Sequence, residues 1–200
     1  MDVSKALTTR RAIKNFDPEH KVSDQEYQSL MELVLTSPTS FNIQNWRFVN
    51  VVDTEKREAI KAAAWGQAQV TDASLLFLLC ADVKAWEKDP ARYWRNAPKE
   101  TADLMVSMIG PFYEGRESLQ RDEAMRSVGI AAQSMMLAAR EMGYDTCPMI
   151  GFDQEKVAEI INLPDDHVIG MMVTLGKRTK EPFPRGGDIS FEEAVITDSF

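Results

Sequence analysis

The sequence predicts a single domain of mixed helix and sheet, α+β or α/β, and three observations carry that reading. Apolar runs of strand character at 46–53, 75–80 and 168–175 are separated by long stretches with helical spacing. The segment 121–142 is dense in small residues, as a helix packed closely against a neighbour would be. Two hundred residues with no linker, repeat or low-complexity tract fit one domain with a sizeable core.

The elements follow in order. Ser23-Asp24-Gln25-Glu26 is a capping box, opening a helix that runs to Leu35 and carries Tyr27, Leu30, Met31, Val34 and Leu35. Pro38 stops it and makes the preceding residue extended. In 46–53, Trp46, Phe48 and Val52 fall on one strand face. A short helix is expected over 54–64, and 75–80 reads as a continuous buried strand. Pro98 suits the first turn of a helix on which Ala102, Met105, Met108 and Ile109 recur, and Gly110-Pro111 ends or kinks it. The helix 121–142 carries Ala124, Gly129, Ala131, Ala132, Ser134, Ala138 and Ala139, which admit a close neighbour from this chain or a second copy. Gly143 takes the C′ position, and a last strand spans 168–175.

Composition excludes several functions. A net charge of −8 disfavours nucleic acid and anionic membranes as partners. The N-terminus has no apolar core of a signal peptide, and no apolar run reaches membrane-spanning length, so a cytoplasmic protein with no membrane partner is expected. Two cysteines and two histidines support neither a disulfide framework nor a zinc site, and no metal is expected. No nucleophile elbow, dinucleotide-binding glycine motif or P-loop is present. An enzyme lacking these takes its reactivity from a cofactor.

Two segments carry chemistry. Residues 37–48, Ser-Pro-Thr-Ser-Phe-Asn-Ile-Gln-Asn-Trp-Arg-Phe, place Asn42 and Gln44 in a helix-to-strand junction. A primary amide offers a donor and an acceptor in one plane, matching the polar edge of a flat heterocycle, although polar loops are common. Arg10, Arg11 and Lys14 form a basic knot in an acidic chain, suited to phosphate oxygens or simply to solvent. On a helical turn Arg10 and Lys14 would share a face.

Together these segments resemble the nitroreductase family of FMN-dependent flavoproteins. Arg10-Arg11-Ala12-Ile13-Lys14-Asn15-Phe16 is similar to its N-terminal motif, and Pro38-Thr39-Ser40-Phe41-Asn42-Ile43-Gln44-Asn45-Trp46-Arg47-Phe48 to its second. Gly143-Tyr144-Asp145-Thr146-Cys147-Pro148-Met149-Ile150-Gly151-Phe152 is similar to a third, followed by a helix, a strand ending Leu175-Gly176 and a tail with Arg185. The departures are Ala12 for Ser, Asn45 for Pro, Ile150 for Glu, and Gln69 where some members carry Lys.

The resemblance implies a three-layer α+β fold: a central, mainly antiparallel mixed sheet flanked by helices, with the long helix at a homodimer interface. It implies FMN, with NADH or NADPH as reductant and a small-molecule acceptor. Arg10, Arg11 and Arg185 would hold the FMN phosphate beside Ala12, with Lys177 and Arg178 as further candidates. Lys14 would lie at the N1 and O2 edge and raise the potential. Asn42 and Gln44 would contact the ribityl chain or ring edge, and Gln67 and Gln69 the pyrimidine. Pro38, Thr39 and Ser40 would come from the partner subunit. Pro148, Met149, Ile150 and Gly151 would lie along the ring, a backbone N–H of Ile150 or Gly151 aimed at N5, with no catalytic side chain.

Phe41, Trp94, Met108, Phe112 and Tyr113 would shape the substrate pocket, or fill core. The eleven methionines line a permissive pocket or fill core too; Trp65 and Trp86 carry no functional reading. The implied activity is ping-pong reduction of nitroaromatics, quinones or enones. The alternatives are a specialised flavin reaction (dehalogenation, flavin fragmentation) and a non-catalytic storage or sensor role.

Overall fold

A computed structural model describes residues 1–200. It contains α1 (Val3–Thr9), α2 (Asp24–Val34), β1 (Trp46–Asn50), α3 (Thr54–Ala63), α4 (Gln69–Asp72), β2 (Leu75–Asp82), α5 (Lys99–Tyr113), α6 (Glu117–Glu141), β3 (Asp145–Met149), α7 (Gln154–Ile160), β4 (His167–Gly176) and α8 (Phe191–Ala194). Short 3₁₀ turns occupy Ser40–Asn42 and Pro90–Tyr93. The four strands form one sheet in the order β1-β2-β4-β3, and every neighbouring pair is antiparallel.

The uninterrupted apolar run of β2 follows from its place inside this sheet. Leu75, Phe77, Leu79 and Ala81 pack on one face with Leu30, Val34, Val128, Ala132 and Met135 of α2 and α6. Leu76, Leu78 and Cys80 pack on the other with Ile60 of α3, Val70 of α4 and Val157 of α7. Both faces of the strand are covered, so no polar alternation survives. The capping box at α2 is complete, with Ser23 accepting from the Glu26 N–H and Glu26 accepting from that of Ser23. Helix α6 packs against β4 at Gly170, where an added Cβ would come within 2.4 Å of Val128 Cγ1. Gly129 faces open space and Ile130 is 43% exposed, so one side of α6 stays uncovered within the chain.

Several expectations are corrected. Strand β1 stops at Asn50: the Val51 side chain is 4% exposed and Val52 75%, the reverse of the expected alternation. The backbone turns there because Asp53 caps α3, accepting from the Lys56 N–H. Pro111 does not end α5, which continues to Tyr113 with the Glu114 N–H donating to Gly110 O. Pro98 is the cap residue outside that helix, and α6 starts at Glu117 rather than 121. Helix α1 and strand β3 were not expected.

The basic knot is not helical. Arg10 leaves α1 in extended backbone, Ala12 bridges Thr146 in parallel, and the Ile13 N–H donates to Thr146 O at 3.0 Å. Arg10, Ala12 and Lys14 still share a side, through a two-residue period. No helix is long and apolar enough to cross a membrane.

Candidate functional site

A cleft of about 480 Å³ opens where this extended segment meets the exit of β3 and the C-terminal tail. Arg10, Arg11, Ala12 and Lys14 line one wall, Pro148 the floor, and residues 180–183 and 185–188 the other wall. Arg11 Nη2 donates to Phe183 O, and Arg185 Nη2 to Thr8 O at 3.4 Å, so these two cations also fasten the tail. Arg10 and Lys14 line the same cleft with no carboxylate paired to either. Below them, burial raises the Cys147 thiol pKa, with Lys14 acting in the opposite sense.

Beyond Pro148 the chain turns under a fixed amide relay. Gln69 Nε2 donates to Gln67 Oε1 at 3.0 Å, and Gln67 Nε2 to Gly151 O at 2.8 Å. Gln69 is 4% exposed, so it is a built part of this loop. The relay anchors the Gly151 carbonyl, and the backbone N–H groups of Ile150 and Gly151 meet no protein acceptor. Ile150 is 72% exposed, whereas the Met149 side chain is buried among core residues. Trp65, for which the sequence offered no role, stands against Gly151: a Cβ there would lie 3.3 Å from its ring. Its φ of 54° before Gly66 marks a sharp turn, the only local signal of that placement.

The amide loop is strained and tied down. Phe41, Asn42 and Gln44 have φ of 50°, 54° and 41°, the left-handed region that non-glycine residues enter at a cost. Asn42 Nδ2 donates to Tyr93 O at 2.9 Å, Trp94 Nε1 to Phe41 O at 3.1 Å, and the Gln44 N–H to Thr39 Oγ1 at 3.0 Å. The segment around Tyr93 and Trp94 thereby holds the loop in shape. A second cleft of about 500 Å³ is lined by Pro38, Thr39, Ser40, Phe41, Asn42, Trp94 and Met105. Phe112 meets Phe41 ring to ring at 5.2 Å.

The structure therefore divides the predicted residues between two clefts, one cationic and one aromatic, with no lining residue in common. Some fall in neither. Lys177 donates to Gly143 O at 2.7 Å and lies 4.0 Å over the Tyr144 ring. Arg178 pairs with Glu181 at 3.0 Å and with Asp145 at 3.8 Å. Both are occupied by protein acceptors and line neither cleft. Tyr113 is 1% exposed, in a core cluster with Ile43, Trp86 and Ile109, and Met108 lies outside the aromatic cleft.

Comparison with known proteins agrees with this geometry. The Nitroreductase family model matches residues 7–177. Protein DrgA of Synechocystis is 55% identical over 181 residues, covering 90% of this chain and 86% of its own. MhqN of Bacillus subtilis, which carries the name of an NAD(P)H nitroreductase, is 38% identical over 187 residues, covering 90% of this chain and 91% of its own. A protein of Exiguobacterium sibiricum, described as a nitroreductase and solved in complex with FMN, superposes with a TM-score of 0.90 at 27% identity, covering 98% of this chain and 97% of that one. The chain belongs to the nitroreductase family.

Proposed function

We propose that this chain is the subunit of a homodimeric FMN-dependent oxidoreductase that takes hydride from NADH or NADPH and reduces an electron-poor nitroaromatic, quinone or enone. One observation carries the reading. The N–H groups of Ile150 and Gly151 meet no protein acceptor, in a loop beside a cationic cleft that the Gln69–Gln67 relay anchors at Gly151 O. Donors without acceptors next to arginines paired to no carboxylate, although Glu181 and Asp188 line the same cleft, suit a flat, hydrogen-bond-accepting group that carries a phosphate.

Arg10, Arg11 and Arg185 would hold the phosphate, and Pro148, Ile150 and Gly151 the ring, with one backbone N–H toward N5. Bound there, FMN supplies two-electron hydride chemistry. Lys14 places a cation where negative charge accumulates on reduction and favours the reduced form. Pro38, Thr39 and Ser40 line a separate cleft in the same chain, which supports a site completed by the partner's copy of that loop. The uncovered side of α6 supplies a face for such a partner. Reductant and acceptor would use one exposed face in turn, giving ping-pong kinetics.

The test is anaerobic mixing of the FMN-loaded protein with excess NADH, then NADPH. Bleaching of the flavin bands by at least one of them, and recovery on adding a quinone, is expected. Failure of both nucleotides to bleach overturns the reading.

A further inference from the structure

A third cleft, of about 330 Å³, is lined by Gln44, Trp46, Arg47, Arg92, Tyr93 and Arg95. Three of its six lining residues are arginines and none is acidic, in a chain of net charge −8. The three are held differently. Arg47 is fixed by Gln44 O and Trp46 O, each at 2.8 Å, and by Asp82 at 3.5 Å. Asp82 also accepts from Lys88 at 2.9 Å, so that carboxylate is already shared. Arg92 lies 4.7 Å over the Tyr93 ring and donates to its hydroxyl at 2.6 Å. That hydroxyl donates to Ala85 O at 3.1 Å, which orients the pair. Arg95 is exposed and has no partner within the protein. Trp46 lines the cleft at 6% exposure, with its indole N–H buried.

The cleft is joined to the amide loop. Gln44 lines it and, through its Nε2, donates to Asn42 Oδ1 at 3.3 Å, while Asn42 holds Tyr93 O. A long ligand with one end at the amide loop therefore has a pre-built anion site for the other. Guanidinium groups paired to no carboxylate, as Arg92 and Arg95 are, bind a dianionic phosphate monoester better than a phosphodiester, since each oxygen accepts charge-assisted bonds.

We propose that this three-arginine cleft binds the 2′-phosphate of NADPH and makes the chain prefer NADPH over NADH. The proposal rests on the reading that a nicotinamide dinucleotide is the reductant. Arg92 and Arg95 are the discriminating residues, because Arg47 is committed to the protein.

The test is calorimetric binding of 2′-phospho-ADP-ribose and of ADP-ribose to the FMN-loaded protein, its Arg95→Gln variant and its Arg92→Gln variant. Tighter binding of the 2′-phosphorylated compound by about tenfold or more, lost in both variants with ADP-ribose unaffected, is expected. Equal binding of the two nucleotides, or a preference that survives both substitutions, overturns the proposal. Equal weakening of both nucleotides in the variants also overturns it, since the cleft would then read any phosphate. Binding needs no turnover, so these outcomes stay separate from a failure of NADH and NADPH to reduce the flavin.

Discussion

Arg57 and Arg10 show how differently one chain uses the same side chain. Arg57 is half-buried on α3 and donates to three backbone carbonyls: Val51 O at 2.7 Å, Ala73 O at 2.6 Å and Ser74 O at 3.2 Å. Burial lowers its pKa, and its role is to join the end of β1 to the start of β2. Arg10 lines the basic cleft in extended backbone and is paired to no carboxylate. The difference teaches where binding capacity resides: a cation whose donors are spent on carbonyls stabilises the fold, and one with donors to spare awaits an anion. By that criterion Lys177 and Arg178 stand with Arg57, while Lys14 stands with Arg10.

The largest expected effect breaks the structural member of the pair. Arg57→Ala strands three carbonyls and should cost about 3 kcal/mol, lowering Tm by roughly 6–12 °C for a chain of this length. FMN affinity measured well below the new Tm should not change. Arg10→Ala should do the opposite. It removes a charge-assisted phosphate contact worth about 1.5–3 kcal/mol, raising the Kd for FMN roughly 10- to 100-fold. The cofactor-free Tm should stay where it was. Calorimetric melting and flavin titration of both variants decide the matter, and matching changes in the two would erase the distinction. Lys14→Ala sharpens it further: FMN should remain bound while its midpoint potential, measured by anaerobic dye equilibration, falls.

How much of this was legible in the sequence depends on how local each signal was. The capping box at Ser23, the Gly143 terminus and the buried run of β2 were readable because the interactions that cause them lie within a few residues or in an unbroken apolar pattern. The pairing of Ala12 with Thr146 was not, since it joins residues distant in the chain. That bridge makes the basic knot extended, where spacing alone suggested a helical turn. Arg185 was expected at the phosphate and Arg178 as a further candidate; the carboxylates of Glu181 and Asp145 hold Arg178, while Arg185 lines the cleft. Phe112 and Tyr113 are neighbours too, yet the geometry of α5 leaves the first 37% exposed and buries the second. The Gln67–Gly151 contact likewise needed the fold, because an isolated glutamine before a strand has no pattern to announce it.

The smallest expected effect tests the assignment of Lys177 to the fold. Tyr144 OH donates to Glu26 at 2.8 Å, with Lys177 above the Tyr144 ring. Bonds from Ser23, then the Tyr144 hydroxyl, hold the Glu26 carboxyl down from 4.5 to about 2, with a contribution from the charge of Lys177. The folded pKa lies below the unfolded one, so the unfolded state binds more protons between the two values, and stability rises with pH across that window. The contribution of Glu26 is complete above pH 4.5 and fades as pH falls toward about 2. Glu26→Gln should therefore flatten the acid limb of a stability–pH curve from urea titrations and leave flavin binding at neutral pH unaltered. Lys177→Met should shift that limb slightly toward higher pH without weakening FMN. Loss of FMN in the lysine variant would return Lys177 to the phosphate-binding group.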